Sequence, residues 1–188
     1  SAHAVVRLGN IAAASRVALL ALLRPGDTVL SFNLRKQEHC AGLDFRFENY
    51  GIDPTLQRVD WDEVAQIAER IKPRLIVFSP VSYPCIPNYE RLAAIARAAG
   101  AYLWIDIGQC VGLVAAGLIP SPVALADIVS FPTNDSLRGP DGAILLCTKE
   151  IAPQLDASVA NTGHIALHMS RLAALAFALH AAAQPKFR

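Results

Sequence analysis

The chain has 188 residues and a formal net charge of +1, with 17 lysine and arginine residues against 16 acidic residues. This length suits a single domain over residues 1–188, and the balanced charge without a basic run argues against a nucleic-acid surface. The longest apolar stretch, residues 11–23, is interrupted by Ser15 and Arg16 and is too short to span a bilayer, so no membrane partner is expected. Hydrophobic residues make up 53% of the chain, which predicts a large core or an apolar surface that a partner covers.

The predicted helices begin at residues whose side chains can accept a hydrogen bond from the first helical turn. Asn10, Asp60 and Asn88 are such residues, and Asp60 with Glu63 also has the spacing of a capping box. In chain order, helices are predicted over residues 11–23, 61–71, 89–99, 111–116, 149–155 and 165–183.

The predicted strands are mostly continuous apolar runs, which are typical of parallel strands buried on both faces. In chain order, they cover residues 28–32, 74–78, 101–105, 128–131 and 143–147, and residues 33–55 predict no regular element. Strands that alternate with helices indicate the α/β class, with a mostly parallel sheet between helices. Asp106 and the polar turn after Phe131 follow strands, and functional groups gather beyond the carboxyl ends of such strands.

The four cysteines are far apart and form no CxxC pair. No zinc site is expected, because zinc ligands usually come in close pairs. We expect reduced thiols and a cytoplasmic protein, with Cys147 buried at the end of an apolar run. His164 and His168 have i, i+4 spacing, but the glutamate of an HExxH motif is missing between them.

Four stretches of the chain resemble the serine hydroxymethyltransferases, which are fold-type I enzymes that use pyridoxal phosphate (PLP). The stretches are ALLRPGDTVLSF, YGID, YLWIDIGQCVGLVAAGLIPSPVALADIVSF and SLRGPDGAILL, and the resemblance runs from about residue 4 to residue 180. It implies the large domain of that family, with a mostly parallel seven-stranded sheet and an obligate dimer whose active sites draw on both subunits. The family's N-terminal arm and C-terminal small domain have no counterpart in this sequence, so apolar surface is expected to be exposed.

The resemblance also shows which family residues are replaced. The family has a His-Lys pair before its Leu-Arg-Gly-Pro turn, and the lysine binds PLP covalently as an imine. Asn134 and Asp135 occupy those two positions here. A carboxylate cannot form an imine, and its charge would repel the cofactor's phosphate. Of the four lysines in the chain, only Lys36 lies in a loop that faces the cofactor in the family. We therefore expect no covalent PLP, and non-covalent PLP is a weak alternative.

The segments that bind the cofactor's phosphate in the family are replaced as well. Its Ser-Gly-Ser corresponds to residues 10–12 (NIA), and its Gly-Thr-Gln-Gly-Gly loop corresponds to residues 160–164 (ANTGH). Ile11 stands where a glycine lets the backbone approach the phosphate closely. A serine near the cofactor ring matches Val81, and a histidine near the ring matches Gln109.

Three positions of the family's cofactor site are retained. Asp106 matches the aspartate that pairs with the pyridine nitrogen, His39 matches the histidine that stacks on the ring, and Arg138 keeps its place in the turn. Each also has an ordinary structural explanation. Asp106 can bond to loop amides, His39 can pack or face solvent, and Arg138 can pin the loop through an ion pair or carbonyl contacts. We treat the three as vestigial cofactor-binding positions.

The residues predict a serine hydroxymethyltransferase-like protein that lacks covalent PLP chemistry and acts by association, as a homodimer or with a related enzyme. The alternative is an enzyme of specialised amino-acid or one-carbon metabolism with a remodelled pocket around Asp106, Asp135 and His39. Residual PLP-dependent hydroxymethyl transfer or aldol cleavage is a third possibility. A pocket filled by side chains such as Ile11, beside a large apolar interface, would favour the first. A ligand or metal among the three polar residues would favour the second.

Overall fold

The computed structural model describes residues 3–32, 44–80, 83–162 and 168–187. The strands in these ranges are β1 (His3–Leu8), β2 (Thr28–Phe32), β3 (Arg46–Tyr50), β4 (Ile52–Asp53), β5 (Arg58–Val59), β6 (Leu75–Phe78), β7 (Tyr102–Asp106), β8 (Ile128–Pro132) and β9 (Ala143–Cys147). The helices are α1 (Ile11–Leu22), α2 (Trp61–Ile71), α3 (Tyr89–Ala99), α4 (Val111–Ala115), α5 (Ala152–Asn161) and α6 (Met169–Ala182), followed by the 3₁₀ helix η1 (Pro185–Phe187).

One sheet of seven strands runs in the order β1-β9-β8-β7-β6-β2-β3, and β4 pairs with β5 separately. Strands β3, β2, β6, β7 and β8 are parallel, whereas β9 is antiparallel to both of its neighbours. The sheet is therefore mostly parallel, which confirms the predicted α/β fold class.

The sheet carries a hydrophobic core on each face, as its continuous apolar strands predict. Neighbouring residues alternate between the faces, because side chains alternate along a strand. Leu30 and Ile76 belong to the first core, and Val29 and Leu75 belong to the second. Residues of α2 and α3 complete the first core, and residues of α1 and α5 complete the second. Helices thus cover both faces of the sheet.

Helices α1, α2 and α3 begin where their capping residues predict. The side chain of Asn10 accepts a hydrogen bond from the Ala13 amide at 2.8 Å, and that of Asn88 accepts one from the Arg91 amide at 2.9 Å. Asp60 accepts hydrogen bonds from two amides of the first turn of α2. These bonds satisfy backbone donors that a helix leaves without internal partners. Helices α2 and α3 have the predicted bounds.

The structure differs from the predicted elements mainly at the edges of the sheet. The outer strands β1 and β3 were absent from the prediction. Most of their side chains are half-buried or exposed, whereas Val5, Leu8 and Tyr50 are buried. Helix α5 begins later than predicted because Pro153 is tolerated only in the first turn of a helix. Helix α6 also begins later than predicted, with His168 as its N-cap, and His164 lies outside the described residues.

Cysteine burial agrees with the sequence in the part of the chain that is described. Cys85, Cys110 and Cys147 are free thiols, and Cys147 is 2% exposed, which confirms its predicted burial. Cys40 lies outside the described residues. No helix in the described ranges is both long enough and apolar enough to cross a membrane.

A pair of leucine substitutions tests the core. Leu30 is completely buried in β2, whereas Leu20 on α1 is 38% exposed. Leu30→Ala should lower the free energy of unfolding by about 2–5 kcal/mol, because it leaves a cavity between sheet and helices. Leu20→Ala should lower it by less than about 1 kcal/mol. Urea unfolding followed by circular dichroism measures both changes, and equal losses would contradict the assigned core.

Candidate functional site

A cleft of about 520 Å³ lies at the carboxyl edge of the parallel strands. The segments after β6, β7 and β8 and the start of α1 bound it. Its lining consists of Gly9, Asn10, Ile11, Ser79, Pro80, Asp106, Gly108, Gln109, Pro132, Asn134, Asp135, Asp141 and Gly142. A larger hollow of about 710 Å³ lies between α2 and α3, away from these strand ends. We take the cleft as the candidate site, because open α/β sheets bind ligands at the carboxyl ends of their strands.

Hydrogen bonds hold the carboxylate of Asp106 at the end of β7. Its Oδ1 accepts from the Gly108 amide at 2.9 Å, and its Oδ2 accepts from the Ser130 hydroxyl at 2.5 Å. Ser130 lies opposite Asp106 in the parallel pairing of β7 with β8. The Ser130 oxygen accepts in turn from the indole N–H of Trp104 at 2.9 Å. Bonds to a charged acceptor are strong, so this chain of donors fixes the orientation of the carboxylate.

The turn between β8 and β9 is held together by its own hydrogen bonds. The amide of buried Thr133 donates to the Gly142 carbonyl at 2.9 Å, and its hydroxyl donates to the Pro140 carbonyl at 2.6 Å. The Gly139 amide donates to the Thr133 carbonyl at 2.8 Å. A Cβ at Gly139 would lie 2.6 Å from that carbonyl oxygen, so the turn needs glycine there. The predicted polar turn between two strands is confirmed.

Asn134 and Asp135 lie in this turn and line the cleft. The Asn134 side-chain amide donates to Oδ1 of Asp141 at 2.9 Å, across the turn. Asp135 is exposed, and its backbone carbonyl accepts from the Arg138 amide at 3.0 Å. The carboxylates of Asp135 and Asp141 thus enter the cleft wall from one short, internally bonded segment.

The cleft has a negatively charged lining. Asp106, Asp135 and Asp141 contribute carboxylates, and the described lining contains no lysine, arginine or histidine. The guanidinium of Arg171 lies against Gly142, but it donates to the Leu8 carbonyl and is not part of the lining. A lining of this sign favours cationic or neutral polar molecules over phosphates.

The structure brings two of the predicted site residues together and separates a third. Asp106 and Asp135 both line the cleft. Arg138, which has a φ of +57°, is exposed and lines a separate groove with Phe177 of α6. Its guanidinium makes no hydrogen bond or ion pair with the described residues, so it does not pin the turn to them. His39 lies outside the described residues.

The described lysines lie away from the cleft. Lys72 is the C-cap of α2, Lys149 follows β9, and Lys186 lies in η1. None of these three lines the cleft. Lys36 lies outside the described residues. The described part of the cleft lining therefore contains no side-chain amine.

Sequence reasoning missed two serines at the site. Ser130 is fully buried and links Asp106 to Trp104. Its signal is a lone hydroxyl inside an apolar strand, since a buried hydroxyl needs a hydrogen-bond partner. Ser79 lines the cleft directly after β6, and the strand-end rule that selected Asp106 also applies to it.

Almost the whole chain matches the model of one protein family. The family model for serine hydroxymethyltransferase matches residues 6–188. The chain belongs to the serine hydroxymethyltransferase family. The match confirms the resemblance found in the sequence, and it accounts for the α/β fold. Serine hydroxymethyltransferases normally bind PLP and are typically oligomeric.

The described residues of the cleft do not fit PLP. This cofactor brings an aldehyde that needs an amine and a phosphate that needs hydrogen-bond donors or cations. The described lining offers no amine, and Ile11 places an aliphatic side chain at the start of α1, where helix amides would otherwise meet an anion. Asp135 and Asp141 add charge of the same sign as the phosphate.

The charge of Asp106 also acts on a neighbouring thiol. Cys110 directly precedes α4 and lines, with Asp106, a smaller pocket of about 220 Å³ beside the cleft. Burial raises the pKa of the Cys110 thiol, a hydrogen bond with Tyr89 lowers this pKa, and the Asp106 carboxylate raises it further. Burial likewise raises the pKa of the Tyr89 hydroxyl. The Cys110 thiol is therefore a reporter for charge at the end of β7.

An Asp106→Asn substitution tests this electrostatic contact. Removing the negative charge should lower the pKa of Cys110, because one of the two causes that raise it is lost. At any pH below that pKa, Cys110 should then react faster with iodoacetamide, since the thiolate is the nucleophile. Mass spectrometry of the Cys110 peptide across a pH series measures the shift.

Two controls accompany the alkylation series. Asp141→Asn removes a carboxylate that does not act on Cys110, and it should leave the pH profile unchanged. Exposed Cys85 serves as an internal standard for the reagent. An unchanged Cys110 profile in Asp106→Asn would show that the carboxylate does not act on the thiol.

Proposed function

We propose that this member of the serine hydroxymethyltransferase family is a pseudoenzyme that lacks covalent PLP chemistry and acts by association, with itself or with a partner enzyme. The observation that carries the proposal is the position of the Asp135 carboxylate. Asp135 lines the cleft, and no described lining residue supplies an amine. The sequence resemblance matches Asp135 to the family's lysine. A non-catalytic role accounts for a family fold that persists while the family's covalent chemistry is lost.

The electrostatics of the cleft support the loss of PLP. Two like charges about 4 Å apart repel by about 1 kcal/mol in water and about 4 kcal/mol near a protein surface. A phosphate in this cleft would meet Asp135 and Asp141 without a lysine, arginine or histidine among the described lining residues. Each carboxylate therefore weakens binding, whereas the family's lysine would strengthen it.

The association part of the proposal is supported by exposed apolar side chains. Leu113 is 48% exposed, Leu118 65% and Phe177 75%, although large apolar residues are usually buried. The family is typically oligomeric. We place this function in the cytoplasm, because the described cysteines are free thiols of the kind that reducing compartments maintain.

The open cleft favours a second candidate function. In a non-catalytic homologue, side chains such as Ile11 were expected to fill the pocket. Ile11 does line the cleft, but about 520 Å³ of the cleft remains open. The alternative is a repurposed enzyme of specialised amino-acid or one-carbon metabolism that uses Asp106 and Asp135 as acid or base groups, with His39 as a further candidate. Among the described residues, no three His, Cys, Asp or Glu side chains are placed so that they could hold a metal ion together. Acid–base chemistry is therefore the form that we consider for Asp106 and Asp135.

Reductive trapping tests the proposed loss of covalent PLP chemistry. The unmodified protein and Asp135→Lys are incubated with PLP and serine, reduced with borohydride and mapped by mass spectrometry. Neither should retain one cofactor per chain or cleave serine, because restoring an amine does not restore the phosphate site around Ile11. Native mass spectrometry of the protein from its own cells then reports bound small molecules and protein partners together.

A combined variant is the matched control for the trapping experiment. Asp135→Lys with Ile11→Gly and Ala12→Ser restores the amine, a close backbone approach and a hydroxyl. It should capture more PLP than Asp135→Lys alone. Stoichiometric PLP on any lysine of the unmodified chain, with turnover of serine, would overturn the proposed function.

A further inference from the structure

A second concave surface, here called the α6 groove, lies between α4, the β8–β9 turn, α6 and η1. It encloses about 520 Å³, and the residues that matter most are Leu113, Leu118, Phe177, Arg138 and Lys186. The lining of the α6 groove shares no residue with that of the Asp106 cleft. It is therefore a separate surface, and the chemistry of the family's cofactor site does not explain it.

Large apolar side chains converge on the α6 groove. Leu113 is 48% exposed, Leu118 is 65% exposed and Phe177 is 75% exposed. Single exposed apolar residues are normal on protein surfaces, but three that line one concavity indicate an interaction site. An aromatic ring such as that of Phe177 is also the type of side chain that anchors protein interfaces.

Helix α6 is apolar around most of its circumference. Its sequence, MSRLAALAFALHAA, contains only Ser170, Arg171 and His180 as polar residues. Nevertheless, only Leu175 and Ala178 are fully buried against the described chain. A helix that is hydrophobic all round is normally covered on more than one face, so the exposed face of α6 is suited to a further helix. The small residues of this helix allow a close approach.

Charge distinguishes between the possible occupants of the α6 groove. Arg138 and Lys186 line it, and none of the described residues in its lining is acidic. Two copies of the chain that met groove to groove would bring these cations together across a two-fold axis, which is unfavourable. A different protein segment with carboxylates beside its apolar residues would pair with both cations.

We propose that the α6 groove binds an amphipathic helix of another protein, with leucine-like side chains against Phe177, Leu113 and Leu118 and acidic residues beside Arg138 and Lys186. The inference rests on the proposed function, because it gives the associating protein a docking surface and a class of partner.

A peptide-binding measurement tests the occupant. The probe is a fluorescein-labelled helical peptide with leucines at i, i+3, i+4 and i+7 and glutamates elsewhere, and the matched peptide has lysines in place of the glutamates. Fluorescence anisotropy should show saturable binding of the glutamate peptide that weakens as salt increases. The lysine peptide should bind at least about tenfold more weakly.

Variants of the whole chain locate the binding site. Phe177→Ala should weaken binding by about tenfold or more, and Arg138→Gln with Lys186→Gln should reduce the difference between the two peptides. Met169→Ala is the matched control, because Met169 is 72% exposed on the same helix and does not line the groove. Circular dichroism checks that each variant folds, and the exposure of Phe177 makes its substitution a mild one for stability.

Several results would overturn the docking proposal. One is a failure of the glutamate peptide to bind saturably, and another is equal binding of the two peptides. A third is an equal loss of peptide affinity in Phe177→Ala and Met169→Ala. Sedimentation that shows a dimer, and a monomer in Phe177→Asp, would assign the groove to a second copy instead. The trapping experiment with PLP tests the proposed function separately. If the chain carried PLP and cleaved serine but still bound the peptide, the proposed function would be rejected and the docking proposal would stand.

Discussion

Strand β7 pairs with β8 in parallel register, and this pairing places Asp106 opposite Ser130. The Ser130 hydroxyl bonds to the carboxylate, and the indole of Trp104 bonds to the serine from within β7. Because the chain leaves β8 through a short turn into β9, the turn residues must lie beside the end of β7. The negative cleft follows from this arrangement, since Asp135 and Asp141 are on that turn and line the cleft with Asp106.

The scaffold and the chemistry of the cleft depend on different residues. The fold rests on buried side chains such as Leu30, Ile76 and Val29, which line the two cores and do not line the cleft. The cleft depends on residues beyond the strand ends, which can change without removing core contacts. The family fold is therefore physically compatible with a cleft lined by carboxylates. Family membership fixes the architecture of this chain, and its cleft residues must be judged by their own chemistry.

Most of the fold could be predicted from the sequence because its signals are local. Capping residues and apolar runs gave α2, α3, β2 and β9 with their observed bounds. The edge strands β1 (HAVVRL) and β3 (RFENY) were missed because polar residues interrupt their apolar pattern. Asp106 and Asp135 were found from strand ends and from the family resemblance. The position of the Arg138 side chain could not be predicted in this way. It lies in the α6 groove because the backbone of Arg138 is left-handed, with a φ of +57°.

The β8–β9 turn connects the two surfaces of the molecule. Asp135 lines the cleft and Arg138 lines the α6 groove, and the amide of Arg138 donates to the carbonyl of Asp135. Gly139 makes this arrangement possible, because a Cβ there would lie 2.6 Å from the Thr133 carbonyl and 3.3 Å from the Cβ of Ala178 on α6. Without a side chain at Gly139, helix α6 packs directly against the turn. One hydrogen-bonded segment thereby presents a negative charge to the cleft and a positive charge to the apolar groove, so a substitution that reshapes its backbone must alter both surfaces.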